Sequence, residues 1–274
     1  MTQQTTTDDT TRRAQPPRDP AFSAVADPDT LTTVLDALGA IVDECVLAVG
    51  DAGVSVEAMD PATVAMVSLD LDADAFDAFD ADTDRRLGVP LDRLRDVVGI
   101  ADAGQPVELA FDAETRLLHV QVGELAYTLA LVDPDAIRSP PDRVDLADQY
   151  EAGATLDGAS VARAVDAADM VADHLALGAA TGREAGGTLY VRADGDTDSV
   201  EIEFERQDCD ALDAPRPVES LFSLQYLASV TGATPADRPV DLRFGDEAPV
   251  EVAFDVADGD GRVAFVVSPR MTRT

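Results

Sequence analysis

A helical apolar pattern near the start of the chain returns 130 residues later, and a chain built this way is expected to fold as two similar units. Leu31, Val34, Leu35, Leu38, Ile41 and Val42 fall on one face of an α-helix. A shift of 130 residues gives Val161, Ala164, Val165, Ala168, Val171 and Ala172 in the same register, with Asp36 matched to Asp166 and Asp43 to Asp173. A second helix carries Leu91, Leu94, Val97 and Val98, and the same shift gives Leu221, Leu224, Leu227 and Ala228. Sixty residues separate the two helical patterns in each half, Leu31 to Leu91 and Val161 to Leu221.

Between these helices the apolar period changes from 3.6 to two, which is the period of a half-buried strand. The clearest runs are Val54 to Met59, Val64 to Leu71, Leu117 to Val122, Val200 to Phe204 and Val250 to Val256. Turn residues punctuate them at Gly50-Asp51, Asp102 to Gly104, Gly186-Gly187, Asp194 to Asp196 and Asp258 to Gly261. Helix, strands, helix, strands, repeated once, predicts an α+β chain of two similar domains. The Pro-rich stretch Asp133 to Asp142 is the natural linker. The expected division is a disordered tail over 1–20, a first domain over 21–133, a connecting loop over 134–147 and a second domain over 148–274.

Charge decides where such a chain can work. Fifty-four acids, 41 of them Asp, stand against 20 Arg and no Lys, for a formal net charge of −34. Hydrophobic residues make up 46% of the chain, so a buried core is expected despite the acidity. At molar salt the Debye length shrinks to about 3 Å, carboxylates repel each other little, and a hydrated acidic surface keeps a protein in solution. The composition therefore reads as adaptation to a salt-rich cytoplasm. No apolar run approaches a membrane span, and Arg12-Arg13 is followed by Ala-Gln-Pro-Pro rather than the apolar stretch of an export signal. Cys45 and Cys209 lie in no metal-binding or redox spacing and are expected as packed thiols.

Five segments then point to a family. Met59-Asp-Pro-Ala-Thr-Val-Ala-Met-Val67, Tyr127 to Pro134, Ala167 to His174, Ser220 to Leu227 and the terminal Ser268-Pro-Arg270 resemble, in order and spacing, sliding clamps of the proliferating cell nuclear antigen (PCNA) type, particularly those of halophilic archaea. The resemblance covers roughly Phe22 to Met271. It implies a non-enzymatic ring of three identical chains, helices inside and sheets outside, encircling duplex DNA at the nucleoid as a polymerase processivity factor in DNA replication. The implied partners are the replicative DNA polymerase, clamp loader, flap nuclease and DNA ligase, docking through short motifs, with no cofactor and no membrane. The implied client pocket uses Met59, Val64, Met66, Val132, Ile137, Pro249, Val267, Ser268 and Pro269. It departs from the common pattern at Ser268, where Ala is usual, and at Val266, where an aromatic is frequent. The implied subunit contact pairs Leu125, Tyr127, Leu129 and Leu131 with Leu189, Tyr190 and Val191 of the next chain, Gly186-Gly187 allowing close backbone approach.

The duplex-facing surface is the largest departure. Of the basic positions usual in the family, Arg163 remains, while Asp166, Gln225 and Gly232 stand where cations are common, and Arg93 and Arg95 flank their helix. A ring with so few cations is expected to hold DNA by closure rather than by charge, and counterion release contributes little at molar salt. Catalysis lacks an inventory: His119 and His174 are the only histidines, and no nucleophile elbow or phosphate loop occurs. Asp194, Asp196 and Asp198 with Glu205 imitate a calcium loop, but Ser199 takes the position that requires Gly, so the segment reads as a solvated turn. The acidic inner helices and the tail before Phe22 leave one alternative, an accessory paralogue or decoy that binds clamp clients without encircling DNA.

Overall fold

The computed structural model describes residues 17–138, 140, 146–181 and 187–270. Most of the expected tail, much of the linker and Gly186 lie outside the described residues. The first half runs β1 (Phe22–Ala26), α1 (Pro28–Gly39), β2 (Glu44–Gly50), β3 (Gly53–Met59), β4 (Ala65–Asp72), β5 (Ala78–Ala81), β6 (Arg85–Pro90), α2 (Leu91–Val98), β7 (Val107–Asp112), β8 (Leu117–Val122) and β9 (Leu125–Ala130). The second repeats that order as β10 (Ala152–Asp157), α3 (Gly158–Asp169), β11 (His174–Ala180), β12 (Thr188–Asp194), β13 (Ser199–Glu205), β14 (Ala211–Asp213), β15 (Val218–Ser223), α4 (Leu224–Gly232), β16 (Pro239–Phe244), β17 (Val250–Val256) and β18 (Gly261–Val267).

The helices start where their sequences provide caps. Asp27 Oδ1 accepts the amides of Asp29 and Thr30, with Pro28 opening α1, and Asp157 Oδ1 accepts the amide of Ser160 to open α3. The helices α2 and α4 have no side-chain cap. Their first amides instead reach across to a turn carbonyl, Leu91 to Asp43 and Leu224 to Asp173, each at 3.0 Å. These two hydrogen bonds mark the true correspondence between the halves. The pair α1 and α3 is offset by 130 residues, but α2 and α4 by 133. Three residues are close to one helical turn, so the apolar stripe looks almost the same one turn out of step. The partner of Leu94 is thus Leu227, and Leu221 belongs to β15 rather than to a helix. Ile41, Val42, Val171 and Ala172 also lie beyond their helices, which end at Gly39 and Asp169.

Eighteen strands form three sheets among the described residues, of order β5-β1-β7-β8-β9, β14-β10-β16-β17-β18-β4-β3-β2-β6 and β13-β12-β11-β15. The nine-stranded sheet crosses from one half to the other through β18 and β4, antiparallel from Gly261↔Leu71 to Val267↔Ala65. Alternate residues on both strands, Leu69, Val67, Val263 and Phe265, are almost fully buried at this seam, so the halves share one core. In the repeat, β13 corresponds to β4 and β9 to β18. Each of these two counterparts ends its sheet with an open edge.

Candidate functional site

The outer end of the β3–β4 hairpin is organised by one carboxylate. Asp60 is 5% exposed. Its Oδ1 accepts the amides of Val64 (2.7 Å) and Ala65 (2.8 Å), and its Oδ2 the amide of Ala62 and the hydroxyl of Tyr226, both at 2.9 Å. Burial by itself would push this carboxyl up, but those four donors outweigh it and hold the group below its ordinary value. The Tyr226 hydroxyl is pushed the other way, by its own burial and then by the carboxylate it serves. Thr63 takes a positive φ of 61° inside the turn that Asp60 closes. The result is a rigid turn that sets Met59, Val64 and Met66 half-buried, with Met59 directly opposite Met66.

Around these residues the C-terminal strand continues past its end. The Ser268 amide donates to the Val64 carbonyl at 2.8 Å, and Pro249, Ser268 and Pro269 are half-buried there. Val267 is different. It stands opposite Ala65, is fully buried and faces the core, so the implied role at the surface is corrected; Val266, opposite Met66, takes that face. Sequence alternation alone contains this answer, since Val263, Phe265 and Val267 share one side of β18.

The described part of the linker crosses the same outer surface. The Val132 amide donates to the Gly88 carbonyl on β6 at 2.8 Å, Arg86 pairs with Asp135 at 3.0 Å, and Arg138 donates to the Pro61 carbonyl at 3.2 Å. A Cβ on Gly88 would stand 2.4 Å from the Val132 carbonyl oxygen and 3.1 Å from Ile137 Cδ1, so only glycine lets the linker lie this close. Val132 is therefore bridged to the free edge of β6, and Ile137 packs over Gly88.

On the helices, charge is sparse. The four carry Arg93, Arg95 and Arg163 against six aspartates. Arg95 is committed to Asp36 (3.5 Å) and Asp92 (3.7 Å), which ties α2 to α1. Arg163 is exposed, its Nη2 on the Ser160 hydroxyl at 3.0 Å, and Gln225 is exposed on α4. Arg93 is exposed with no ion pair among the described residues.

The strand expected to receive the neighbouring chain also needs correction. Both sides of β12 are taken, by β11 and β13, so Leu189, Tyr190 and Val191 have no free backbone edge. Leu189 and Val191 are core residues. Tyr190 lies over Gly178, its hydroxyl on Glu219 at 2.8 Å beside Arg192, and is pushed up to about 12 by burial and then by that carboxylate. The open edge belongs to β13, where Val200, Ile202 and Phe204 alternate with Glu201, Glu203 and Glu205. In the first half β9 is open as expected, with Leu125 and Leu131 half-buried, Leu129 buried and Tyr127 36% exposed. Periodicity marks both segments as strands but does not say which has a vacant edge.

Among the described residues no group of His, Cys, Asp or Glu is placed to hold a metal, and no helix is long and apolar enough to cross a membrane. Cys45 and Cys209 are buried free thiols; burial pushes the Cys45 thiol up to about 12.

Residues 24–124 match the model of the proliferating cell nuclear antigen N-terminal domain, and 187–270 that of its C-terminal domain. The chain is 46% identical over 250 residues to the DNA polymerase sliding clamps of Natronomonas pharaonis and of Halobacterium salinarum, covering 91% of this chain and 98% of each relative. Among solved structures, the PCNA of A. fulgidus bound to the C-terminal region of FEN-1 superposes with a TM-score of 0.84 at 27% identity, over 92% of this chain and all of that one. The PCNA of Thermococcus kodakaraensis shares the fold at a TM-score of 0.81 and 23% identity, over 91% of this chain. A two-domain repeat, one sheet sewn across both halves and this agreement over nine-tenths of the chain have one meaning: the chain belongs to the proliferating cell nuclear antigen family of DNA polymerase sliding clamps.

Proposed function

We propose that three copies of this chain close head to tail into a ring that encircles duplex DNA in a salt-rich cytoplasm and tethers a replicative polymerase and other clients. The observation that carries this reading is the pair of open edges. Within the chain, β18 of one half pairs with β4 of the other; their counterparts, β9 and β13, end their sheets unpaired. Repeating the internal junction between chains joins β9 of one copy to β13 of the next, a heterologous contact that forms a ring when the rotation closes. The subunit contact therefore uses Leu125, Tyr127, Leu129 and Leu131 on one side and Val200, Ile202 and Phe204 on the other.

Clients dock at Met59, Val64 and Met66, with Val266, Pro249, Ser268 and Pro269 beside them and the linker along the border. Two methionines flanking a rigid turn suit a pocket that accepts several partners. The FEN-1 segment in the A. fulgidus structure supports a flap nuclease as one client class. Polymerase, clamp loader and ligase are the other classes the family resemblance supports.

The test is mass by light scattering in molar KCl, expected at three times the 28.8 kDa of one chain, followed by polymerase stimulation on primed circular DNA. A monomer at micromolar concentration overturns the ring. A trimer that binds a flap-nuclease C-terminal peptide yet gives no stimulation overturns the processivity role and leaves a decoy.

A further inference from the structure

We propose that Arg93 of one copy forms an ion pair with Asp196 and Asp198 of the next, so that the helix contact sealing each subunit junction is ionic. The proposal rests on the ring reading above and adds to it a contact that the internal junction makes visible. Within the chain, the half that contributes β18 also contributes α4, and Tyr226, third residue of α4, reaches the turn after β3 to meet Asp60 at 2.9 Å. In the repeat, the half that contributes β9 also contributes α2, and the third residue of α2 is Arg93. The two helices are anchored alike, by Leu91 on Asp43 and Leu224 on Asp173. Arg93 is therefore to the next chain what Tyr226 is to its own.

The turn it would meet corresponds to the turn of Asp60. The Asp60 amide closes onto the Ala65 carbonyl at 3.0 Å, and the Gly195 amide onto the Asp198 carbonyl at 2.8 Å. Gly195 sits so near the end of α3 that a Cβ would stand 2.1 Å from the Val171 carbonyl oxygen, which holds the turn against the helix layer. Glycine at this position has no carboxylate to fold back into its own turn as Asp60 does. The charge is displaced to exposed neighbours: Asp194, 3.7 Å from Arg192, and Asp196 and Asp198, which have no ion pair among the described residues.

Charges match across this junction. An exposed unpaired guanidinium stands in the place of a phenol, and unpaired carboxylates stand beside the place of a capping one. The arginine side chain is long and forked, and it can bridge two carboxylates across a turn one residue shorter than that between β3 and β4. Direct contact pairs persist where screening erases longer-range attraction. Arg93 is thereby taken out of the duplex-facing set, leaving Arg163 as its unpaired cation.

The test is the concentration dependence of the trimer, by sedimentation or light scattering in molar KCl. It compares the wild type, Arg93→Asp, the pair Asp196→Arg with Asp198→Arg, and the combined charge swap. The expected result is a dissociation midpoint raised roughly tenfold or more by either change alone and restored to within about threefold of wild type by the swap. All three positions are exposed, so melting curves of the monomeric fraction should coincide and separate assembly from folding. A trimeric wild type whose Arg93→Asp variant assembles equally well overturns this contact and leaves the ring standing. So does a swap no better than the single changes. A wild type that never assembles overturns the ring and this contact with it.

Discussion

Asp60 and Tyr226 show how much one residue pair decides. The carboxylate accepts four hydrogen bonds, three from the β3–β4 turn and one from a helix of the other half, so it couples the shape of that turn to the junction between the halves. Tyr226→Phe removes one charge-assisted bond and is expected to cost about 1–2 kcal/mol by denaturant unfolding. Asp60→Asn exchanges a pure acceptor for an amide whose NH2 faces donors, and should cost about 2–3 kcal/mol. The pH sign follows from the depressed carboxyl. Its stabilisation is complete above the ordinary aspartate value of 3.8 and is lost as pH falls through the lower folded value. In molar KCl the acid limb of the wild-type stability curve should therefore be steeper than that of Asp60→Asn. Equal acid limbs would show that the carboxylate is not held as described. The segment Met59 to Val67 is visible in the sequence as a motif, yet the partner of its aspartate lies 166 positions away, beyond the reach of any local pattern.

At the scale of elements, the strands and helices were legible because period two and period 3.6 differ strongly in this chain. Their correspondence between halves was legible only to within a helical turn. A three-residue difference between the β2–β6 and β11–β15 segments leaves the apolar stripe of α4 looking shifted, and only the Leu91 and Leu224 amide contacts resolve it. The linker depends on a single small residue. Gly88→Ala would drive a methyl group into the Val132 carbonyl oxygen; it is expected to lift the linker and weaken a flap-nuclease C-terminal peptide several-fold by fluorescence anisotropy. Trimer mass should be unchanged. Asp157→Ala removes the cap of α3, with an expected loss of about 1 kcal/mol measured by urea unfolding.

For the whole molecule, charge sets the conditions under which the proposed ring can work. A net charge of −34 per chain is tolerable where the Debye length is about 3 Å and costly where it is about 10 Å. The melting temperature should therefore rise steadily from 0.1 M to molar KCl, on the order of ten degrees or more; a flat response would remove screening from the account. With Arg95 already paired to Asp36 and Asp92, and the four helices carrying six aspartates, few cations are left for phosphates, so in the proposed ring retention on DNA is expected to come from topology. Loaded rings should stay on closed circles through gel filtration and run off linear duplex of the same sequence, with Arg163→Glu changing neither outcome by more than about twofold. Loss from closed circles at the rate seen on linear DNA would contradict closure.

The sequence by itself determined the α+β repeat, the alternating strands, the saline setting and the family, because each is written in local periodicity, composition or contiguous motifs. Tertiary structure decided which strand has a vacant edge, which face Val267 takes beside the pocket, and which arginines are already spent. Those outcomes depend on pairings between residues far apart in the chain. β12 and β13 look equally like strands until their neighbours are known, and Arg93 and Arg95 look equally free until Asp36 is found beside one of them.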